Sequence, residues 1–211
     1  MQQSIANQIS NHDQGWIFTP ADFSGVASRD NIDQTLSRLA KAGSIRRLSH
    51  GLYDKPIVNS RFGILPPDID RAAKSYMNKF GYKVETHPAK AAHILGLSDQ
   101  VPSGYSYLTD GGNSAISIGD IKVSFKHASA KRLAGIGTKA GLVVQALYYF
   151  GKEYFDKIKN DDDMSNDNAG DYRDILHKIK GQLSPADIRN LKDIMSMTPV
   201  WMQGVIRQIV M

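Results

Sequence analysis

The stretch from Ser28 to Asp54 constrains the fold most, because an amphipathic helix there runs straight into a short basic hairpin. Ser28 stands where a hydroxyl caps a helix, and Gly43 where a glycine closes one. At about 100° per residue, Ile32, Leu36 and Leu39 share one apolar stripe. Asp30, Gln34, Ser37, Arg38 and Lys41 face away from it, with Asn31 on the flank. Residues 44–48 and 52–54 then read as two strands around Ser49-His50-Gly51. Upstream, Ile5 and Ile9 place a first helix and Trp16-Ile17-Phe18 a short strand. Thr19-Pro20 opens a brief second helix anchored by Phe23. Helix, strand, helix, helix, basic hairpin is the order of a winged helix-turn-helix, expected over residues 1–58.

In that arrangement the polar side of the third helix enters the major groove of double-stranded DNA while the hairpin lies along the backbone. Gln34 and Asn31 carry the paired donor and acceptor that match adenine, and Arg38 or Arg29 can read guanine. Ser37 shares that face. Lys41, Arg46 and Arg47 are expected to contact phosphates, setting affinity but not sequence, and His50 and Ser49 sit at the wing tip. One monomer reads a half-site, so self-association on an inverted repeat is also expected. The competing reading is a solvated helix face and a wing that docks only protein. Charge agrees with a polyanionic partner without requiring one: residues 1–80 and 81–140 each carry +3, and residues 141–211 carry −1.

Beyond the hairpin, residues 59–84 read as a connector with Pro66-Pro67 and a linking helix capped by Asp68 and closed by Gly81. Residues 85–211 form the second domain. A helix over 88–95 precedes three strands, 105–109, 114–118 and 121–125, whose turns at Asp110-Gly111-Gly112-Asn113 and Gly119-Asp120 predict an antiparallel meander. Helices follow over 138–150, around Tyr172–Ile179, from Ser184 and from Thr198, forming a C-terminal bundle, with residues 160–170 as a polar loop. The fold class is therefore α+β.

Several chemistries are excluded on composition and spacing. The chain has no cysteine, so disulfides, Cys-ligated zinc and thiol catalysis are absent. Gly135-Ile136-Gly137-Thr138-Lys139-Ala140-Gly141 lacks the spacing of a phosphate loop or dinucleotide fingerprint and reads as a turn entering a helix. Gly112-Asn113-Ser114 with Asp120 approaches a nucleotidyltransferase site, but Lys122 stands where its second carboxylate belongs. Asp161-Asp162-Asp163 has no calcium-loop pattern, the histidines form no metal motif, and no nucleophile elbow occurs. No catalytic residue, cofactor or metal is expected. The first ten residues have no leader pattern and no stretch spans a bilayer, so a cytoplasmic protein without a membrane partner is expected.

The runs Phe18-Thr19-Pro20-Ala21-Asp22-Phe23, Leu36-Ser37-Arg38-Leu39, Gly43-Ser44-Ile45-Arg46-Arg47-Leu48 and Gly51-Leu52-Tyr53-Asp54 resemble the N-terminal winged helix of AbiEi-type antitoxins. Leu95-Gly96-Leu97-Ser98-Asp99-Gln100-Val101-Pro102, followed by Tyr107-Leu108-Thr109-Asp110-Gly111, resembles the start of their second domain. The resemblance covers roughly residues 15–150. It implies an antitoxin that represses its own operon through the winged helix, with Gln34, Arg38, Lys41, Arg46 and Arg47 as operator contacts. It also implies a C-terminal domain that counteracts a nucleotidyltransferase-like toxin. The residues alone leave open a transcriptional regulator whose C-terminal domain senses a ligand or binds protein, with no toxin partner.

Overall fold

The computed structural model describes residues 2–160 and 167–211 and is an α+β protein with several small β-sheets. The chain divides into two compact units, Met1–Tyr82 with Ser114–Ser124, and Lys83–Asn113 with Phe125–Met211.

In the first unit, α1 (Gln2–Asn11) and α2 (Arg29–Lys41) flank β1 (Ile17–Phe18) and a 3-10 turn over Pro20–Phe23. That turn replaces the expected second helix. Asp22 holds it tight by accepting from the Thr19 backbone N–H at 2.7 Å and the Thr19 hydroxyl at 3.0 Å. The helix α2 ends in a Schellman closure: Gly43, at φ +74°, donates to the Ala40 carbonyl, and Ser44 donates to that of Leu39. β2 (Arg46–Ser49) and β3 (Leu52–Asp54) form a hairpin in a sheet ordered β1-β3-β2. The two-residue His50-Gly51 turn places Gly51 at φ +65°. Ile5, Ile9, Phe18, Phe23, Ile32, Leu36, Ile45 and Tyr53 make one core. Phe18 meets Phe23 edge-on at 5.6 Å and stacks on Tyr53 at 6.0 Å.

Thr35 extends the buried stripe of α2, and its hydroxyl is buried with no hydrogen-bond partner. An unsatisfied buried hydroxyl costs about 1 kcal/mol or more, and valine has nearly the same shape without it. Thr35→Val is therefore expected to raise stability by about 1 kcal/mol in urea unfolding; a loss of stability would show that the hydroxyl is satisfied.

The stretch from residue 59, read from sequence as connector, takes part in a two-stranded hairpin, β4 (Val58–Asn59) with β5 (Gly63–Ile64). α3 (Ile69–Asn78) follows, with the Asp68 side chain accepting from Arg71 N–H. It buries Ile69, Ala72, Ala73 and Met77 at helical spacing.

In the second unit, β6 (Val84–Thr86) pairs antiparallel with β7 (Tyr105–Thr109), and α4 (Pro88–Ile94) lies between them in sequence. α5 (Lys139–Asn160) is two helical segments joined at Gly151, where φ is 79° and ψ 168°, so the first ends at Phe150 as expected. α6 (Asp167–Gly181), α7 (Pro185–Ile194) and α8 (Val200–Val210) complete it. The polar loop expected over 160–170 is helical at Asn160 and again from Asp167; Asp161, Asp162 and Asp163 lie outside the described residues. α8 sends Met202, Val205, Ile206 and Ile209 into a core shared with Val143, Val144, Leu147, Ile179 and Leu191.

The expected meander is corrected. With β8 (Ser114–Ile118) and β9 (Ile121–His127), the hydrogen-bonded order is β6-β7-β9-β8, so β9 lies beside β7. Residues 110–113 are no hairpin turn but a crossover past the end of β9. Ala128 N–H donates to the Thr109 carbonyl at 2.9 Å, and His127 donates from its backbone to Asn113 Oδ1 at 2.7 Å and from Nδ1 to the Gly111 carbonyl at 2.9 Å. These bonds satisfy the crossing backbone, which is why a short glycine-rich segment can make the passage. Among the described residues no helix is long and apolar enough to cross a membrane.

Candidate nucleic-acid interface

Burial of Ile32, Thr35 and Leu36 fixes the rotation of α2, so the opposite side faces solvent. Asn31, Gln34, Ser37, Arg38 and Lys41 are all exposed. Gln34, Ser37, Arg38 and Lys41, with Asp33, line a shallow concavity on that face. Arg29 is exposed too, but its Nε sits 2.7 Å from Asp33 Oδ2. A polyanion would have to compete with that pair, although exposed i,i+4 pairs are weak.

The two arginines of the β2–β3 hairpin separate sharply. Arg47 is exposed and donates to His50 Nδ1 at 3.1 Å. A guanidinium can only donate, so that nitrogen carries the lone pair and Nε2 carries the proton of the neutral ring. Arg46, expected from sequence to meet a phosphate, instead grips Asp54 as a fork. Its Nε lies 3.0 Å from Oδ1 and an Nη 2.6 Å from Oδ2, while the other Nη donates to the Leu65 carbonyl at 2.9 Å. The Arg46 side chain is 29% exposed and that of Asp54 2%. The cause is register: Arg46 and Asp54 are direct cross-strand partners on β2 and β3.

One cation in this region is invisible to sequence reasoning. Lys79, just past α3, places Nζ 3.4 Å from the His50 carbonyl at the β2–β3 turn. The same nitrogen lies 4.9 Å and 5.3 Å from the ring centres of Phe80 and Tyr76. Burial, and then the nearby Arg29 charge, hold its pKa below the usual lysine value. Lys79, Arg29 and the hairpin turn are thus brought together from three separated segments. Nothing in the linear pattern joins Lys79 to His50, so only the fold could find it.

The glycine-rich segment before α5 encloses a carboxylate of its own chain. Gly137 N–H donates to Glu85 Oε2 at 2.8 Å, and the Thr138 hydroxyl donates to the Gly135 carbonyl at 2.6 Å and accepts from Gly141 N–H at 3.1 Å. Among the described residues no group of three acidic or histidine side chains could hold a metal ion.

These features define an α+β protein with a solvent-facing polar helix followed by a basic hairpin. The chain belongs to the DUF6088 family, a family of unknown function, whose model matches residues 4–166. No curated protein matches it.

Proposed function

We propose that residues 1–58 are a winged helix-turn-helix that binds double-stranded operator DNA. The whole chain acts as a non-catalytic antitoxin of AbiE-like type, repressing its own operon and counteracting a nucleotidyltransferase-like toxin. The observation that carries the DNA half is the rotation of α2, which leaves Gln34, Ser37, Arg38 and Lys41 on the solvent side directly ahead of the β2–β3 hairpin. In this reading α2 enters the major groove, Gln34 and Arg38 meet base edges, and Lys41, Arg47 and Lys79 meet phosphates. Arg46 supports the wing from inside. The antitoxin half rests on the resemblance of residues 15–150 to AbiEi-type proteins.

Fluorescence anisotropy with the gene's own upstream duplex, over a series of salt concentrations, tests the DNA half. Wild-type protein should prefer that duplex over a scrambled one. Arg47→Ala and Lys79→Ala should each flatten the slope of log K against log salt by about one unit, because each removes one phosphate contact. A cation that only braced the wing would lower affinity and leave the slope unchanged. Equal binding to both duplexes would remove the proposal. Co-expression with an adjacent nucleotidyltransferase-like gene tests the antitoxin half: growth should be restored, and continued growth arrest at full expression would refute it.

A further inference from the structure

The start of α2 carries an ion pair in the part of a recognition helix that reaches base edges, its N-terminal turns. Arg29 is the first residue of the helix, and Asp33 follows one turn later on the same side. Asp33 also lines the shallow concavity formed with Gln34, Ser37, Arg38 and Lys41. The pair therefore borders the polar side of α2 and does not stand apart from it. Both side chains are exposed, Arg29 at 66% and Asp33 at 48%.

The way the two groups meet decides what the pair can do. Arg29 Nε donates to Asp33 Oδ2 at 2.7 Å, and among the described residues the two Nη groups have no partner. Held through Nε alone, a guanidinium keeps the edge between its terminal nitrogens free. That edge matches the O6 and N7 acceptors of guanine in the major groove. A phosphate fits the same edge, but the Asp33 carboxylate cancels most of the Arg29 charge as a phosphate would feel it. A guanine edge is neutral and responds to the donors themselves. Asp33 thus weakens Arg29 as a phosphate contact and leaves it intact as a base contact. Fixing the long side chain before binding also reduces the rotamer entropy lost at the interface.

We infer that Arg29 reads a guanine in the major groove and that Asp33 is the positioning residue that aims it. The inference rests on the DNA-binding reading of the first unit and adds a third base contact to those of Gln34 and Arg38.

Full-length protein titrated by fluorescence anisotropy tests it, with the gene's own upstream duplex and copies in which each guanine in turn is 7-deazaguanine, which lacks the N7 acceptor. One such replacement should weaken wild-type binding about tenfold and leave Arg29→Ala unaffected, since that variant has already lost the contact. Asp33→Ala should bind a scrambled duplex more tightly than wild type does, because a carboxylate has left the interface. It should also lose most of the discrimination at that guanine. Asp33→Asn keeps an oxygen that accepts from Arg29 Nε and should restore it. Exposed pairs of this kind add little stability, so the variants fold. Arg29→Ala that weakens every duplex alike marks a surface brace, and one that flattens the salt slope by about one unit marks a phosphate contact. Either result overturns the inference, as does an Asp33→Ala protein that discriminates as the wild type does. Wild-type protein that does not distinguish the upstream duplex from a scrambled one removes the DNA-binding reading itself, and the inference with it.

Discussion

Arg46→Ala is expected to destabilise the first unit by about 3–5 kcal/mol, whereas Arg47→Ala one residue along shifts stability by less than about 0.5 kcal/mol. Removing Arg46 leaves Asp54, 2% exposed, as a buried carboxylate without its cation, and frees the Leu65 carbonyl as well. Breaking one side of such a pair costs far more than the pair contributes, because the remaining charge stays desolvated. Arg47 faces water and its guanidinium donates to exposed His50, so its loss leaves no buried charge unpaired. The two tryptophans make the measurement specific, since Trp16 lies in the first unit and Trp201 in the second. Urea unfolding followed by Trp16 fluorescence, with Trp201 replaced by phenylalanine in every protein compared, reads the first unit. Equal midpoints for the two arginine variants would sink the assignment of Arg46 to the interior. Changing both arginines together would confound unfolding with any loss of the proposed phosphate contact, so Arg47 is tested alone.

Gly141→Ala should cost the second unit about 3 kcal/mol or more, because the added methyl has nowhere to go. It would overlap the Gly135 carbonyl oxygen and come within 2.7 Å of Glu85 Oε2. Neither neighbour can yield easily. The Gly135 carbonyl belongs to the backbone and accepts from the Thr138 hydroxyl, and Glu85 is buried against the Gly137 amide. Gly137 supplies the control. It has φ +79° with open space around the site of a Cβ, so alanine there carries only the backbone penalty of about 1–2 kcal/mol. Trp201 fluorescence with Trp16 replaced by phenylalanine separates the cases. A Gly141→Ala protein no less stable than Gly137→Ala would show that the segment relaxes and that the close approach is unimportant.

Local signals were readable where a single element decides them. The helix expected from Ser28 to Gly43 is α2, Arg29–Lys41, because a continuous apolar stripe and a closing glycine act within one chain segment. The hairpin at His50-Gly51 and the helix starting after Asp68 are legible for the same reason. The strand order was not. A four-residue glycine-rich connection looks the same in sequence whether it turns back as a hairpin or crosses a neighbouring strand, and the His127 and Ala128 bonds that favour the crossing come from a separate part of the chain. Thr19-Pro20 opens a 3-10 turn as readily as an α-helix, and four residues are too few for periodicity to choose between them.

The candidate interface divides along the same line. Composition and helical spacing by themselves determined that Gln34, Ser37, Arg38 and Lys41 occupy one side of a helix, since that depends only on the angle between successive residues. The tertiary structure alone decided which cations are available. Arg46 and Arg47 are chemically equal and adjacent in sequence, yet cross-strand register turns one onto Asp54 and the other to water. Lys79 joins the β2–β3 hairpin turn from the far end of α3. Electrostatic and hydrogen-bond energies depend on distance through space, and a one-dimensional sequence carries that distance only between near neighbours.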